Sequence, residues 1–300
     1  MVINKMFRDL SSHGYNTKNR FYTIAEIGIN HQGNLNIAKR LIDIAAVAGC
    51  DAVKFQKRNP DKAVPEAQKN KPRRWQGQNM TYLEYKYKVE FGKEQYDEID
   101  RYCKQQGIEW SASPWDLDSI EFLSQYNIPF IKIPSAMLTN NELLDECVKR
   151  FPKVIFSTGM STEEEIDEAV RVLREAKLKY GKSDSMGLLH CNSTYPAPIE
   201  ELNLSAIKTL FEKYPDFEIG YSGHEFRLGT SVAATYLGAS IIERHITLDR
   251  TMEGSDHMAS LEPQGLLKLV SGIRELESAY GDGIVRVTES EKPVREKLRG

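Results

Sequence analysis

The sequence predicts an α/β protein built as a (β/α)₈ TIM barrel, on three observations. Short apolar, β-rich runs alternate with longer stretches of helical periodicity, the pattern of parallel strands joined by crossover helices. Eight such pairs can be counted in 300 residues, more than an open doubly wound sheet usually holds. No GxGxxG follows the first strand, so the phosphate-binding turn of a dinucleotide fold is missing.

Strands are expected at 22–26, 52–56, 108–112, 130–133, 154–157, 187–190, 218–221 and 240–246. Helices should begin near Asn34, Gly92, Asp116, Asn141, Thr162, Asn203, Gly229 and Glu262, several behind an Asn, Asp or Thr cap with acidic residues in the first turn. On this reading 1–20 is an N-terminal extension, 21–285 the barrel and 286–300 a C-terminal tail. One long polar and basic insertion, 57–88, follows the second strand, where barrels place active-site loops. It reads as a surface excursion or as a substrate lid carrying Lys71, Arg73 and Arg74.

Composition narrows the function classes. The formal net charge of -3, from 40 basic and 43 acidic residues, offers no global field for nucleic acid or an anionic membrane. Any anionic ligand must be held by a local cluster. Four cysteines, Cys50, Cys103, Cys147 and Cys191, lie scattered without CxxC spacing and read as free thiols of a reducing compartment. The opening segment has no signal-type apolar core and no run is long enough to span a bilayer, so a cytoplasmic location is expected.

Nearly every expected strand ends in polar residues on its C-terminal side. These are Glu26, Lys54 with Gln56, Ser111 with Ser113, Lys132 with Ser135, Ser157 with Thr158, His190, Ser222 with His224, and Glu243 with His245. In a barrel those ends converge on one mouth. Lys54 and Lys132 stand inside apolar runs, and lysine is seldom buried unpaired. A bound polyanion would explain both; structural salt bridges or snorkelling side chains would explain each singly. Hydroxyls at Ser113, Ser135, Ser157 and Ser222 would add neutral donors.

His224 and His245, on adjacent strands, could reach one cation, and imidazoles with water and substrate oxygens suit Mn²⁺ more than Mg²⁺. Hydrogen-bonded structural histidines are the alternative. Glu243 shares a strand face with His245 and could orient a ligand or water. Three polar loops complete the mouth: NHQGN with Asn30, His31 and Gln32; HCNSTYP with Asn192, Ser193 and Tyr195; and EGSDHMAS with Asp256 and His257. Turn chemistry explains much of their content, and their common position suggests a sugar site.

The segments AEIGINHQGN, DAVKFQ, STGMSTEEEI, HCNSTYPAP, GYSGHE and ERHITLDRTMEGSDHMASLEP resemble sialic acid synthases in order and spacing, over about 22–280. The resemblance implies condensation of phosphoenolpyruvate with N-acetylmannosamine or its 6-phosphate, or a related N-acylated hexosamine aldehyde. The products are a nonulosonic acid and phosphate, and the cofactor is a divalent metal, Mn²⁺ before Mg²⁺ or Co²⁺. It implies that Lys54, Ser113, Lys132, Ser135, Ser157, Ser193 and Ser222 hold phosphoenolpyruvate and that His224 and His245 bind the metal. Glu26, Gln56, Tyr195 and Asp256 would contact the aminosugar, with Glu26 also handling a proton; Asn192 belongs to the same substrate loops and Asn79 is a looser match. Synthases for N-acetylneuraminate, its 9-phosphate, legionaminate and pseudaminate look alike in these segments.

Two departures stand out. Met137 occupies the acidic position of the family's KIxSGE block, and the chain stops at EKPVREKLRG where family members continue into an antifreeze-like domain. An arginine of that domain normally reaches a neighbour's sugar site, so a homodimer or a separate antifreeze-like chain is the expected partner. A lysine Schiff-base aldolase using Lys132, another phosphoenolpyruvate-condensing barrel, and a non-catalytic sugar-binding barrel are the competing readings.

Overall fold

The computed structural model describes residues 21–182 and 185–300; the expected N-terminal extension lies outside the described residues. In chain order, β1 (Tyr22–Gly28) and β2 (Ala52–Lys57) are followed by a hairpin of β3 (Pro72–Trp75) and β4 (Gln78–Thr81). Then come β5 (Glu109–Pro114), β6 (Ile131–Ile133), β7 (Lys153–Ser157), β8 (Ser185–Cys191), β9 (Glu218–Gly223) and β10 (Ile241–His245). The eight strands outside the hairpin form one sheet in the order β5-β2-β1-β10-β9-β8-β7-β6, every paired neighbour parallel. At the seam between β5 and β6, Ser111 Oγ donates to the Phe130 carbonyl at 2.5 Å. The result is a nearly closed TIM barrel with helices outside.

Local signals explain where the helices start and stop. Asn34 caps the helix Leu35–Ala48 by accepting from the Asn36 and Ile37 amides, and Gly49 ends it in the left-handed conformation. Thr162 and Glu165 form a reciprocal capping box for Glu163–Tyr180. The expected start near Asn203 falls slightly early, since that helix runs Ala206–Lys213. Each helix turns an apolar stripe to the sheet, as Ala38, Leu41, Ile42 and Ala45 do.

Inside the barrel the period of two sorts side chains into layers. Tyr22, Ile24, Ala52, Phe130, Ile155, Leu189 and Ile241 form a closed apolar cluster. Two residues further along the strands, Glu26, Lys54, Lys132, Ser222 and Glu243 are buried in their place.

The insertion, expected as a surface excursion or a substrate lid, has secondary structure of its own. It holds short helices at Pro60–Ala63 and Glu66–Lys69, the β3–β4 hairpin and the helix Tyr82–Val89. Trp75, Tyr85 and Val89 pack with Ile29 of the loop after β1, and the Gln76 amide donates to Glu253 at 2.7 Å. Those contacts seat the insertion on the rim of the mouth. No described helix is long and apolar enough to cross a membrane.

Candidate active site

A cavity of about 590 Å³ opens at the C-terminal ends of the strands, within the size range of ligand pockets. Its walls include Glu26, Lys54, Gln56, Ser113, Lys132, Ser135, Ser193, Tyr195, Ser222, His224, Glu243 and His245. Strand register explains the convergence: Glu26 lies opposite His245 on one side and Lys54 on the other, and Glu243 lies opposite Ser222.

The floor is an ion network. Lys54 Nζ sits 2.5 Å from Glu26 and 3.8 Å from Glu243, and donates to Ser113 Oγ at 2.9 Å. Lys132 Nζ lies 3.2 Å from Glu243, which also accepts from Ser222 Oγ at 3.0 Å. In the free protein the buried lysines are therefore answered by carboxylates, as the salt-bridge reading requires. The two carboxylates differ in protonation. Burial lifts Glu26 to about 7 against the pull of Lys54, with Glu243 adding to the rise. Burial also works against Glu243, but Lys132, Lys54 and His245 hold it well below the usual range. With Glu26 protonated, two ammoniums face one carboxylate, and the floor has a positive surplus for an anion.

Beside the lysines, Ser135 and Ser193 flank Gly159, whose amide donates to Ser135 Oγ at 3.1 Å. A Cβ at Gly159 would collide with Ser193 Oγ and come within 2.9 Å of Ser135 Oγ, so any larger residue would push the two hydroxyls out of their present positions. Gly159 and the wall residue Trp115 are absent from the set expected of the sequence, whereas Glu243, expected to orient a ligand or water, stands as the central charge of the floor. The STGMS run following a strand is the signal for Gly159.

Across the cavity the His224 and His245 rings stand 5.3 Å apart, with Tyr195 stacked on His224 at 4.0 Å. His224 Nδ1 is 2.6 Å from the Asn192 carbonyl; donating there leaves Nε2 as the free lone pair. Burial lowers the His224 pKa, but Cys191 and that carbonyl outweigh it and leave the group raised. Burial drives His245 down to about 3, so it is neutral, and its Nδ1 is buried without a hydrogen-bond partner. Asp256 Oδ2 lies 3.8 Å from that nitrogen. Behind the pair, Arg244 bonds Glu225 at 3.1 Å and Ser231 at 2.7 Å on the outer face, anchoring the loop that carries His224.

Two neutral-capable imidazoles, one with an orphaned buried nitrogen, fit a cation that takes its other ligands from water and substrate. Among the described residues no group of three or more His, Cys, Asp and Glu is placed to hold a metal, so the closed ligand cage of a structural metal is not formed here.

Several expected residues are placed elsewhere. Ser157 is buried with its hydroxyl unpartnered and is off the cavity walls. Asn192 turns its side chain to the Glu201 carbonyl and the Thr194 amide; only its own carbonyl serves the site. Asn79 is exposed on β4 opposite Arg74, off the cavity walls. Asp256 is also off the walls but next to them: a Cβ on Gly28, at φ 55°, would meet Gln56, Glu26 and Asp256 at 3.1, 3.2 and 3.5 Å. Asn30 ties the first loop to Ile246 and Ser260, and His31 stacks on Phe91 at 3.8 Å; both are structural. Met137 packs half-buried against the outer core and does not line the cavity.

The NeuB family profile matches residues 41–285. The chain belongs to the NeuB family. It is 40% identical over 272 residues to the N,N'-diacetyllegionaminic acid synthase of Campylobacter jejuni, covering 90% of this chain and 80% of that one. To the human N-acetylneuraminate-9-phosphate synthase it is 38% identical over 282 residues, covering 92% and 76%. Among solved structures, the N-acetylneuraminic acid synthetase of Leptospira borgpetersenii, in complex with citrate, superposes with a TM-score of 0.79 at 34% identity, covering 93% and 92%. This NeuB-family protein is an enzyme of the nonulosonic acid synthase kind, a transferase. Relatives named for different sugars match it about equally well, so family membership does not choose the sugar.

Proposed function

We propose that this NeuB-family enzyme condenses phosphoenolpyruvate with an N-acylated hexosamine aldehyde, N-acetylmannosamine or its 6-phosphate being the reference substrates, to form a nonulosonic acid and phosphate. The observation that carries the reading is a single cavity in which two buried ammoniums and a row of hydroxyls face two imidazoles.

Lys54 and Lys132, with Ser113, Ser135, Ser193 and the Gly159 amide, would bind the carboxylate and phosphate of phosphoenolpyruvate. His224 and His245 would hold the divalent cation. Mn²⁺ in first preference, with Mg²⁺ or Co²⁺ as substitutes, supplies Lewis-acid polarisation of the aldehyde oxygen when bound. Gln56, Tyr195 and Asp256 would orient the sugar so that C3 of phosphoenolpyruvate bonds to the aldehyde carbon. Glu26, protonated near neutral pH, is suited to give its proton to the alkoxide that forms. Positive charge develops at C2 as the carbon–carbon bond forms, water adds there and returns one proton to Glu26, and the water's second proton leaves with the phosphate. Breaking the C2–O bond expels phosphate and leaves the keto group. Lys132 is engaged by Glu243 at 3.2 Å, which supports a binding role over Schiff-base formation.

Phosphate release from phosphoenolpyruvate, measured against a panel of hexosamine aldehydes, tests the reading. Release should depend on an N-acylated aldehyde, stop with EDTA and return best with Mn²⁺. Turnover undiminished in metal-free enzyme would overturn the metal assignment, and no release with any sugar would overturn the reaction.

A further inference from the structure

Outside the cavity floor, the insertion gathers a second set of cations that the proposed reaction does not use. The Arg58 charge is near enough to act on Lys86, and Arg73 and Lys86 flank the ring of Tyr85. The Arg73 guanidinium lies 4.7 Å from its centroid, and Lys86 Nζ is 5.3 Å from it and 5.1 Å from that of Tyr82. Arg58 lies 4.5 Å above the Trp115 ring, a wall of the cavity, and donates to the Gln56 amide oxygen, so it joins the cluster to the site.

Arg58 and Lys86 are buried and Arg73 is half-buried, and among the described residues the one ion pair of the three is the long one from Arg58 to Glu90. Arg58 is 5% exposed and Lys86 8% exposed, yet the Nε atoms of Arg58 and Arg73 have no hydrogen-bond partner. Neither Arg73 nor Lys86 has an ion pair among the described residues. The carboxylates facing the group are Glu90 and Asp256. Glu90 approaches Arg58 Nε at 3.8 Å but is taken up by Lys57 at 2.6 Å and the Arg58 amide at 3.0 Å. Asp256 is shared with His245 and Ser255. Burial, and then the neighbouring Arg58 charge, depress Lys86 to about 7. Buried, unpaired cations are costly, and arrangements of this kind recur where an anion completes them.

Resting on the reaction proposed above, we infer that Arg58, Arg73 and Lys86 form a subsite for a phosphate monoester on the sugar, at the end remote from the aldehyde. The substrate class is then an N-acylhexosamine phosphate. Gln56 and Asp256 lie between this subsite and the floor, so the sugar would span from the imidazoles to the rim. Arg73 is the one residue of the basic Lys71, Arg73 and Arg74 run that turns inward; Lys71 and Arg74 stay exposed.

Calorimetric titration of the Mn²⁺-loaded enzyme with N-acetylmannosamine and with its 6-phosphate tests the subsite apart from turnover. The phosphate ester should bind at least about tenfold tighter, and that ratio should collapse in Lys86→Gln. Arg73→Gln, on the hairpin, is a second variant should loss of Lys86 disturb its helix. Phosphoenolpyruvate, titrated separately, distinguishes the other source of a phosphate group: its affinity should be retained in both variants. Equal binding of the two sugars, a ratio that survives both substitutions, or lost phosphoenolpyruvate affinity would each overturn the inference. Phosphate release with unphosphorylated sugar would leave the proposed reaction standing in every one of those cases.

Discussion

The lower and upper parts of the barrel interior are made by the same strands, two residues apart, yet they are opposite in chemistry. Below, Ile24, Ala52, Phe130 and Ile241 fill the space with apolar side chains. Above, Glu26, Lys54, Lys132 and Glu243 fill it with charge. The lower layer gains stability from each buried methylene. The upper layer gains little, because desolvating paired charges costs about what their attraction returns. The contrast teaches that the upper layer is retained for chemistry and that the lower one supports it.

The division has consequences that can break it. The largest concerns His245: replacement by Ala should reduce turnover to background while moving the melting temperature by no more than about 2 °C, since a mouth histidine contributes little packing. Scanning calorimetry beside the phosphate-release assay checks both halves, and a melting loss of core-truncation size would show the two layers to be one structural unit.

Next in size is the reverse experiment. Leu189→Ala in the lower layer should cost ~2–5 kcal/mol of stability by leaving a cavity, with kcat per folded molecule retained. Urea unfolding together with active-enzyme titration reads this directly. A kcat that falls with stability would mean that the lower layer tunes the site above it.

The smallest effect sharpens the difference between the two carboxylates. In metal-free protein the folded state keeps the Glu26 proton up to about pH 7, whereas the unfolded chain releases it near its ordinary 4.5. Between those values folding takes up a proton, so this group's contribution to stability falls as pH rises, by about 1–3 kcal/mol. Glu243 is shifted the other way, and its contribution is lost only as pH falls below about 4.5. Glu26→Gln should therefore flatten the fall in stability between pH 4.5 and 7 and leave the acid limb. Melting temperatures across that range that match the unmodified protein would show that Glu26 is not the group responsible.

Much of this was legible in the linear chain. Alternating runs marked all eight barrel strands, and polar strand ends marked Lys54, Lys132, Ser113, His224 and His245 as neighbours. Less legible were residues whose role depends on level or orientation. Ser157 carries the right chemistry, but its buried hydroxyl is off the cavity walls, which its position in the strand does not reveal. Asn192 contributes a carbonyl, which every residue has, and not the amide that attracts notice. Arg58 and Lys86 were hidden in a segment whose orientation is set by the Trp75 and Tyr85 packing.

What the sequence determined by itself is the set of elements and the face each side chain shares with its own strand neighbours, because the periods of helix and strand are properties of the local backbone. Glu243 and His245 share a face for that reason alone. Tertiary structure alone decided which strand's charge meets which. Glu26 and Glu243 are the same residue type in similar local settings, but strand stagger sets Glu243 between Lys54 and Lys132 and leaves Glu26 with Lys54 alone at ion-pair distance. Coulomb energy depends on distance through space, so the proton that one holds and the other releases is fixed only when the barrel closes.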